Sequence, residues 1–372
     1  MTRTVPDQTD LFVVGGGPAG LATAIAARQC GFGVVVADGA RPPIDKACGE
    51  GFLPDGMAAL QRLGIQIPAS ETWAFRGIRF WSSDRSADAV FPESSCGLAI
   101  RRIALHRVMV ERAKQLGAHL LWGTPVTGIS AEGVRLNDCF VRARWIVGAD
   151  GANSRVRRWA GLDRSRPRLR YAFRRHFRVA PWTDHMEVYW GEHCQGYATG
   201  VSHDQVCIAL ASHDPKLRLE DGLQCLPRLA ARLHGAEIVS TERGALTGNR
   251  QFRRVWRNNV VLVGDASGTV DAITGEGMGL AFSQAISLAD SLRSGDLNAY
   301  QHEHRRLALR PQWMARLMLT MDRRPKLQQR TLRVFQRHPE IFQRLVEFHV
   351  GILPPSHLVC HGLTLGWELL TI

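Results

Sequence analysis

The sequence predicts an α/β fold in which a Rossmann-like nucleotide-binding domain is interleaved with an antiparallel β-sheet domain and followed by a helical C-terminal segment. Three apolar, strand-like segments are each followed by glycines or acidic residues. They lie near the start, in the middle and late in the chain (VVGGGPAG, IVGADGAN and VLVGDASG). Segments with strand-like alternation lie between them. We therefore assign residues 1–72, 99–165 and 248–298 to the nucleotide-binding domain, 73–98 and 166–247 to the β-sheet or substrate domain, and 299–372 to the C-terminal segment.

The first segment, DLFVVGGGPAGLATAIAARQCGFGVVVAD, predicts a strand, a glycine turn, a helix of small residues and a second strand. Its glycines match the G-x-G-x-x-G pattern of dinucleotide-binding turns. Gly15 permits the tight turn, Gly17 lets the backbone approach a pyrophosphate, and Gly20 lets the helix pack closely on the strand. Pro18 and Ala19 complete the turn at the helix N-terminus, where free N–H groups favour phosphate.

Asp38 ends the second strand of this βαβ unit. A carboxylate at that place accepts hydrogen bonds from a ribose and repels a 2′-phosphate, so the site suits FAD or NAD better than NADP. No second G-x-G-x-x-G preceded by a strand occurs in the sequence. We therefore expect no separate Rossmann domain for NAD(P)H.

The middle of the chain predicts a helix over about 103–116, which ends at a glycine, and a β-meander of short strands between 120 and 144. An apolar strand then leads to an Asp-Gly turn at Asp150 and a short arginine-rich helix. Ser154 is a candidate N-cap of this helix and also a candidate cofactor-binding residue.

The stretch from 170 to 210 alternates as an antiparallel sheet does, and a helix is predicted over about 219–233. Late in the chain, NNVVLVGDASGTVDAITGEGMGLAFSQAISLADSL predicts a strand, a loop with two acids and a helix that begins near Glu276.

The tail from residue 301 onward is mostly helical by pattern and carries eleven basic against five acidic residues. A basic amphipathic helix can lie on an anionic membrane, so peripheral membrane contact through this segment is one interpretation. The favoured interpretation is a helical cap whose apolar face packs on the core.

Composition excludes several classes of protein. The chain has 372 residues, 45% of them hydrophobic, so it can bury a large core. Neither a signal peptide nor a membrane-spanning run is visible, so we expect a cytoplasmic protein. The eight cysteines form no CxxC pair, which argues against a metal site and a disulfide framework. The net charge is +13, but no nucleic-acid-binding motif accompanies it. The sequence does not indicate the oligomeric state.

The three motifs, in this order, resemble those of FAD-dependent oxidoreductases related to aromatic hydroxylases (group A flavin monooxygenases) and geranylgeranyl reductases, over residues 9 to about 295. The resemblance implies FAD as the cofactor. It implies that Asp150 supports the pyrophosphate region, that Asp265 binds the ribityl chain, and that backbone N–H groups at Gly275, Gly277 and Met278 face the flavin ring. An N-terminal helix end there would stabilise negative charge on the reduced ring.

By the same resemblance, Arg102 opens the next helix and reaches the cofactor, with Arg101 as the alternative if the register shifts by one, and Val126 meets the adenine. The segment KACGEG matches a glycine-rich segment that lies beside the isoalloxazine ring in the reductase branch. Cys48 and Gly49 are therefore implied cofactor contacts, and Cys48 and Glu50 are weak catalytic candidates. The alternative is that both side chains only shape a tight turn.

Three flavin reactions compete. Halogenation is disfavoured because a WxWxIP element is absent. The reductase branch has a YxWxFP pattern, of which only Tyr197 remains, since Thr199, Val201 and Ser202 replace its other residues. Tyr197 is therefore a weak catalytic candidate, and it shares with Trp190 a possible place in the wall of an apolar substrate site.

We predict an FAD-dependent oxidoreductase that hydroxylates or epoxidises a hydrophobic small molecule of polyketide or isoprenoid type, with NAD(P)H as electron donor. The first alternative is a geranylgeranyl-reductase-like enzyme that acts on carbon–carbon bonds. The second is a non-catalytic protein that binds FAD. His176, His185 and His193 are expected to be surface or hydrogen-bonded histidines without a catalytic role.

Overall fold

The computed structural model describes residues 5–137, 139–163 and 169–354. Its strands are β1 (Gln8–Val14), β2 (Val34–Asp38), β3 (Gly51–Phe52), β4 (Thr72–Phe75), β5 (Gly77–Ser82), β6 (Arg85–Val90), β7 (Gly97–Ile100), β8 (His119–Trp122), β9 (Val126–Ile129), β10 (Gly133–Leu136), β11 (Phe140–Gly148), β12 (Arg170–Arg178), β13 (His185–Trp190), β14 (Cys194–Ser202), β15 (Gln205–Ser212), β16 (Glu237–Ile238), β17 (Arg243–Thr247), β18 (Trp256–Arg257) and β19 (Val260–Leu262). Its helices are α1 (Pro18–Gln29), α2 (Pro54–Arg62), α3 (Arg102–Gln115), α4 (Arg155–Trp159), α5 (Leu219–Gln224), α6 (Pro227–Arg232), α7 (Gly277–Ser294), α8 (Leu297–Asp322), α9 (Pro325–Arg337) and α10 (Pro339–His349).

The first sheet has the order β18-β19-β11-β1-β2-β8, and β1 pairs in parallel with both β11 and β2. Its central strands are nearly continuous apolar runs because both faces are covered. Val14, the last residue of β1, pairs with Gly148 of β11 and with Ala37 of β2. The loops after these strands therefore meet at one edge, where ligands of open parallel sheets bind.

The β-meander predicted between 120 and 144 needs one correction. β9, β10 and β11 do form an antiparallel meander. β8, however, pairs in parallel with β2 at the edge of the main sheet. The reason is that β8 follows helix α3, and a helical crossover returns the chain in the parallel direction.

The second sheet has the order β16-β12-β15-β14-β13-β5-β6, with β17 also paired to β12. It is antiparallel except where β13 and β5 pair in parallel. A third, small sheet has the order β3-β7-β4. The helix predicted over 219–233 is wrong as a single element: the chain forms α5 and α6, and Pro227 begins the second of them.

Helices α8, α9 and α10 pack with the second sheet in one hydrophobic cluster. Met314, Met318, Phe335 and Phe342 are buried there, so much of the apolar face of these helices is covered by protein. Residues 355–372 of the predicted C-terminal segment lie outside the described residues, as do 1–4 and 164–165 of the predicted nucleotide-binding domain. Among the described residues, no helix combines the length and the apolarity that crossing a bilayer requires.

Candidate functional site

A cavity of about 880 Å³ lies where the loops of the first sheet meet the second sheet and the C-terminal helices. One end is lined by the glycine turn after β1 and the loops after β2, β11 and β19. The other end is a chamber lined by β5, β13, β14 and β15 and by helices α8 to α10. A nucleotide-type cleft and an apolar chamber are therefore parts of one continuous space.

The glycine turn has the geometry that the sequence predicts. Gly15 has φ +111°, in the region that favours glycine. A Cβ on Gly20 would lie 1.8 Å from the carbonyl oxygen of Gly15, so close packing of α1 requires glycine there. A Cβ on Gly17 would meet no atom within 4 Å, which leaves space for a ligand at the N-cap of α1. Gly15, Gly17, Pro18 and Ala19 line the cavity, whereas Gly20 is not among its lining residues.

Asp38 and Val126 both line the cavity, beside Gly39 and Pro125. The carboxylate of Asp38 accepts hydrogen bonds from the backbone N–H groups of Gly16 and Ala40, each at 2.7 Å. These bonds fix its orientation and leave further lone pairs for a ribose. Ribose recognition by Asp38 and an adenine contact at Val126 remain predictions that this geometry permits.

The Asp-Gly loop after β11 lines the cavity and also caps the N-terminus of helix α4. Asp150 lines the cavity, and its Oδ2 accepts hydrogen bonds from the N–H groups of Arg155 at 2.6 Å and Val156 at 3.2 Å. Ser154 is the N-cap of α4, since its Oγ accepts the N–H of Arg157 at 2.9 Å. Ser154 is fully buried and is not among the cavity-lining residues, so the structure gives it a capping role.

Asp265 follows β19 on a short 3-10 turn and lines the cavity. Its Oδ2 accepts a hydrogen bond from Lys46 Nζ at 3.2 Å, and both side chains are partly exposed. The sequence analysis assigned no role to Lys46. The sequence does contain a signal for Lys46: the chain has only four lysines, since nearly all its positively charged side chains are arginines, so a lysine in this loop is unusual.

The loop before α7 presents backbone to the cavity at Gly275, Gly277 and Met278. Gly275 has φ +72°, and α7 begins at Gly277 with no side chain capping its N–H groups. These free N–H groups and the helix dipole favour negative charge in front of them. The geometry therefore suits the predicted contact with a flavin ring.

Behind this loop lies the buried carboxyl of Glu276. Burial, reinforced by the nearby Asp55, raises the pKa of Glu276 well above its usual range. Arg310 lies 3.5 Å from the same carboxyl. Burial lowers the pKa of His349 to about 4, so its ring is neutral at physiological pH. His349 Nε2 donates to the carbonyl of Thr274 at 3.0 Å and so ties α10 to the loop.

KACGEG forms part of the cavity wall between the cleft and the chamber. The Sγ of Cys48 accepts the N–H of Glu50 at 3.3 Å and lies 3.8 Å from the Sδ of Met278. Burial raises the pKa of the Cys48 thiol, so it stays protonated and is a poor nucleophile. Gly49 lines the cavity, and a Cβ there would meet no atom within 4 Å.

Glu50 is a buried non-glycine residue with φ +61°. Its Oε1 accepts the N–H of Arg102 at 2.9 Å, and its Oε2 lies 2.6 Å from His176 Nε2. Arg174 approaches Oε1 at 3.8 Å. The sequence predicts no catalytic role for His176. The contact between His176 and Glu50 leaves no local pattern, because 126 residues separate the two partners.

Ligand atoms of Glu50, His176 and Cys207 lie within 4.8 Å of one another. Burial raises the pKa of the Cys207 thiol well above its ordinary value, and Arg174 already places a positive charge beside the carboxylate. A divalent cation would have to displace a thiol proton and face this guanidinium. We therefore interpret the cluster as a hydrogen-bonded network.

Arg102 begins α3, is 9% exposed and lines the cavity. Its Nε is buried and has no hydrogen-bond partner in the described part of the chain. A guanidinium at the cavity wall can donate this N–H to an acceptor that binds in the cavity. Arg101 is not among the lining residues, so the structure places Arg102, and not Arg101, at the cavity.

The chamber is predominantly apolar. Tyr197 lines it and donates its hydroxyl to Gln195 Oε1 at 3.2 Å. Burial raises the pKa of Tyr197, so it remains a neutral phenol. Trp190 does not line the chamber and instead packs on Phe80, with ring centroids 4.8 Å apart. Apolar groups from both walls include Phe80, Met186, Val188, Met318, Phe335 and Leu345.

The described residues fit FAD on three observations: the open space at Gly17, the unpaired Nε of Arg102, and the uncapped N-terminus of α7.

Arg157 is a further structural residue that no sequence pattern singled out. This buried arginine donates to the carbonyl oxygens of Ala266 at 3.0 Å and Ala152 at 2.7 Å, and so joins the Asp150 loop to the Asp265 loop.

Replacing Asp265 with alanine is expected to weaken FAD binding by ~10- to ~100-fold, because one hydrogen bond to a charged group is worth about 1.5–3 kcal/mol. The fold should be retained, since Asp265 is 43% exposed. Flavin absorbance after gel filtration, with titration of the apoprotein by FAD, measures the effect. Asp290→Ala is the matched control, because it removes a surface partner of Arg62 away from the cavity. Unchanged FAD affinity in Asp265→Ala would refute its placement at the ribityl chain.

Comparison with known proteins agrees with this geometry. A family model described as "FAD binding domain" matches residues 8–310. The chain is 29% identical over 331 residues to the menaquinone reductase of Mycolicibacterium smegmatis, covering 79% of this chain and 78% of that protein. It is 27% identical over 298 residues to a digeranylgeranylglycerophospholipid reductase of Methanosarcina acetivorans, covering 73% and 72%. The crystal structure of a flavoprotein/dehydrogenase from Cytophaga hutchinsonii superposes with a TM-score of 0.82 at 17% identity, covering 98% and 99%.

Proposed function

The chain belongs to the FAD-binding domain family of flavin-dependent oxidoreductases, and on that premise we propose that it reduces a carbon–carbon double bond in a hydrophobic molecule of isoprenoid type. The observation that carries this proposal is the apolar chamber that opens into the FAD cleft. A wall of aliphatic, methionine and phenylalanine side chains binds hydrocarbon by burying it, and it offers little to a polar substrate.

The relatives support the same choice. Both curated relatives are named as reductases, and one is named for a digeranylgeranyl lipid, which is an isoprenoid. The sequence alone favours monooxygenation. We now place reduction first because these similarities extend over about three quarters of the chain and because the chamber is so apolar.

The side chains around the cavity have separable tasks in this reaction. FAD, once bound and reduced, supplies the hydride. Lys46, Asp265 and Arg102 hold the cofactor, and the N–H groups before α7 favour negative charge on its ring. The chamber aligns the hydrocarbon chain and excludes water. Glu50 and the Cys48 thiol line the cavity wall and are the groups that we assign to proton exchange there.

Monooxygenation is the second candidate function. The observation in its favour is the loss of the reductase pattern after Tyr197, where Thr199 lines the chamber in place of a tryptophan. A hydroxyl at that position suits a substrate or product that carries oxygen. NAD(P)H is the proposed electron donor for either reaction. A non-catalytic role for bound FAD is the remaining alternative.

The test is an incubation of FAD-loaded protein with geranylgeranyl and polyprenyl-quinone substrates, once with chemically reduced flavin under argon and once with NADPH in air. Reduction predicts a product that gains two hydrogens under argon, with oxidation of the flavin. Monooxygenation predicts no turnover under argon and a product that gains one oxygen atom in air. Flavin that no donor reduces and no substrate reoxidises would favour the non-catalytic alternative.

The chamber can be tested separately with two tryptophan variants on helix α8. Met318 is 4% exposed and lines the chamber, whereas Leu309 is 64% exposed. Met318→Trp is expected to raise KM for long substrates by at least ~10-fold, because added bulk competes with the chain for the same space. Leu309→Trp should leave KM unchanged. Equal KM values for long substrates in the two variants would refute the proposal that the chamber is the substrate site.

A further inference from the structure

A chain of hydrogen bonds leads from the cavity wall toward the surface through Glu50, His176 and Ser240. Glu50 lines the cavity, and its Oε2 lies 2.6 Å from His176 Nε2. On the other side of the ring, His176 Nδ1 lies 2.9 Å from Ser240 Oγ. Glu50 and His176 are each 1% exposed, whereas Ser240 is only partly buried. The chain therefore connects a buried carboxylate to a group within reach of solvent.

The partners of His176 define its tautomer. Arg174 Nη1 lies 3.3 Å from Nδ1, and a guanidinium can only donate, so Nδ1 must accept. Ser240 Oγ accepts the backbone N–H of His176 at 2.9 Å, which leaves its own hydrogen free to point at Nδ1. The ring proton therefore resides on Nε2 and is donated to Glu50. Every bond in the chain then has the direction that proton transfer needs.

The surroundings keep this chain oriented. Glu50 faces Arg174 from β12, Cys207 from β15, Cys48 from its own loop and the first residue of α3, Arg102. Arg174 is in turn paired with Asp45. The Arg174 guanidinium and the backbone N–H of Arg102 both approach Glu50 Oε1, and burial raises the pKa of both neighbouring thiols. Glu50 is thus a hydrogen-bond acceptor in this part of the wall, with Oε2 turned to His176.

We propose that Ser240, His176 and Glu50 form a proton relay between solvent and the flavin cavity. In delivery, the Nε2 proton moves to Glu50, the Ser240 hydroxyl proton moves to Nδ1, and water reprotonates Ser240. The net change is one proton transferred from solvent to Glu50, together with a shift of the His176 ring proton from Nε2 to Nδ1. Glu50 then gives its proton to the cavity, and His176 returns to the Nε2-protonated tautomer before the next transfer. Both candidate reactions consume a proton. The relay therefore depends on the proposed FAD-dependent redox function, but it does not depend on which of the two reactions the protein catalyses.

The relay can be measured without a substrate. Photoreduction of bound FAD in weakly buffered solution, followed with a pH indicator, reports the rate of proton uptake. We expect Glu50→Gln to slow uptake by ~100-fold, because a positioned proton donor contributes about two to four orders of magnitude. Ser240→Ala should slow uptake by only ~10-fold, because a water molecule can bridge part of the gap that the hydroxyl leaves. Small acids such as imidazole should partly rescue Ser240→Ala. Ser202→Ala is the matched control, since Ser202 is also partly buried in this sheet but bonds to Asp204.

A second readout needs no cofactor. In nitrogen-15-labelled apoprotein, the Nε2 proton of His176 should resonate far downfield and move upfield in Glu50→Gln, because an amide replaces the carboxyl group at the 2.6 Å contact and makes a weaker hydrogen bond. Unchanged proton uptake in Ser240→Ala, or a slow uptake that small acids do not rescue, would overturn the relay. A His176 resonance that shows the Nδ1-protonated tautomer would overturn it as well. If Glu50→Gln does not fold, proton uptake by Ser240→Ala is sufficient to test the relay.

Discussion

Alanine at Gly17 is expected to weaken FAD binding at least ~100-fold without unfolding the protein, whereas alanine at Gly20 is expected to destabilise the fold itself. The Gly17 Cβ would meet no protein atom within 4 Å, so only the helix cap changes, at a cost of about 1 kcal/mol. That Cβ nevertheless occupies the space through which a pyrophosphate must approach. The Gly20 Cβ would lie 1.8 Å from the Gly15 oxygen, which forces α1 away from β1 and costs about 3 kcal/mol or more.

Chemical unfolding of the two apoproteins and titration with FAD separate these effects. Gly17→Ala should unfold near the wild-type denaturant concentration and bind FAD at least ~100-fold more weakly, a loss of about 2.7 kcal/mol. Gly20→Ala should unfold at a clearly lower concentration. Tight FAD binding by Gly17→Ala would show that the cofactor does not approach α1 as proposed.

Replacing Arg170 with methionine is expected to destabilise the protein by about 3–5 kcal/mol. Its guanidinium donates to Asp271 Oδ1 at 2.7 Å and to Gln195 Oε1 at 2.9 Å, and it lies 3.8 Å from Asp322. Arg170 is 2% exposed and Asp271 is 1% exposed. The ion pair joins the second sheet to the loop before α7, and removal of the arginine leaves a buried carboxylate without a partner charge.

Arg178→Met on the same strand is the matched control, because its partner Glu237 is 65% exposed and a surface pair is worth about 0–1 kcal/mol. The double variant Arg170→Met with Asp271→Asn should recover part of the lost stability, since it removes the stranded charge. Denaturant unfolding measures all three. A loss in Arg170→Met no larger than that in Arg178→Met would contradict the role of this buried pair.

The nucleotide-binding half of the site could be predicted because its signals are local. The βαβ unit, the role of each glycine in the first turn and the cap at Ser154 depend on residues near one another in the chain. Steric demands of a tight turn and the periodicity of apolar residues act within a few residues, and sequence patterns record them directly. Family membership, predicted from three motifs, is confirmed.

The other half depends on contacts that no local pattern encodes. Lys46 meets Asp265 across 219 residues, and Glu50 meets His176 across 126. Pairing of β13 with β5 and closure of the chamber by α8 to α10 likewise join distant segments. An amphipathic helix shows which face seeks burial but not its partner, and a polar residue does not show which opposite charge compensates its burial. The sequence by itself determined the FAD fold and the cofactor turn, whereas tertiary structure decided the apolar chamber and the Glu50–His176–Ser240 chain, because packing and buried-charge pairing are long-range interactions.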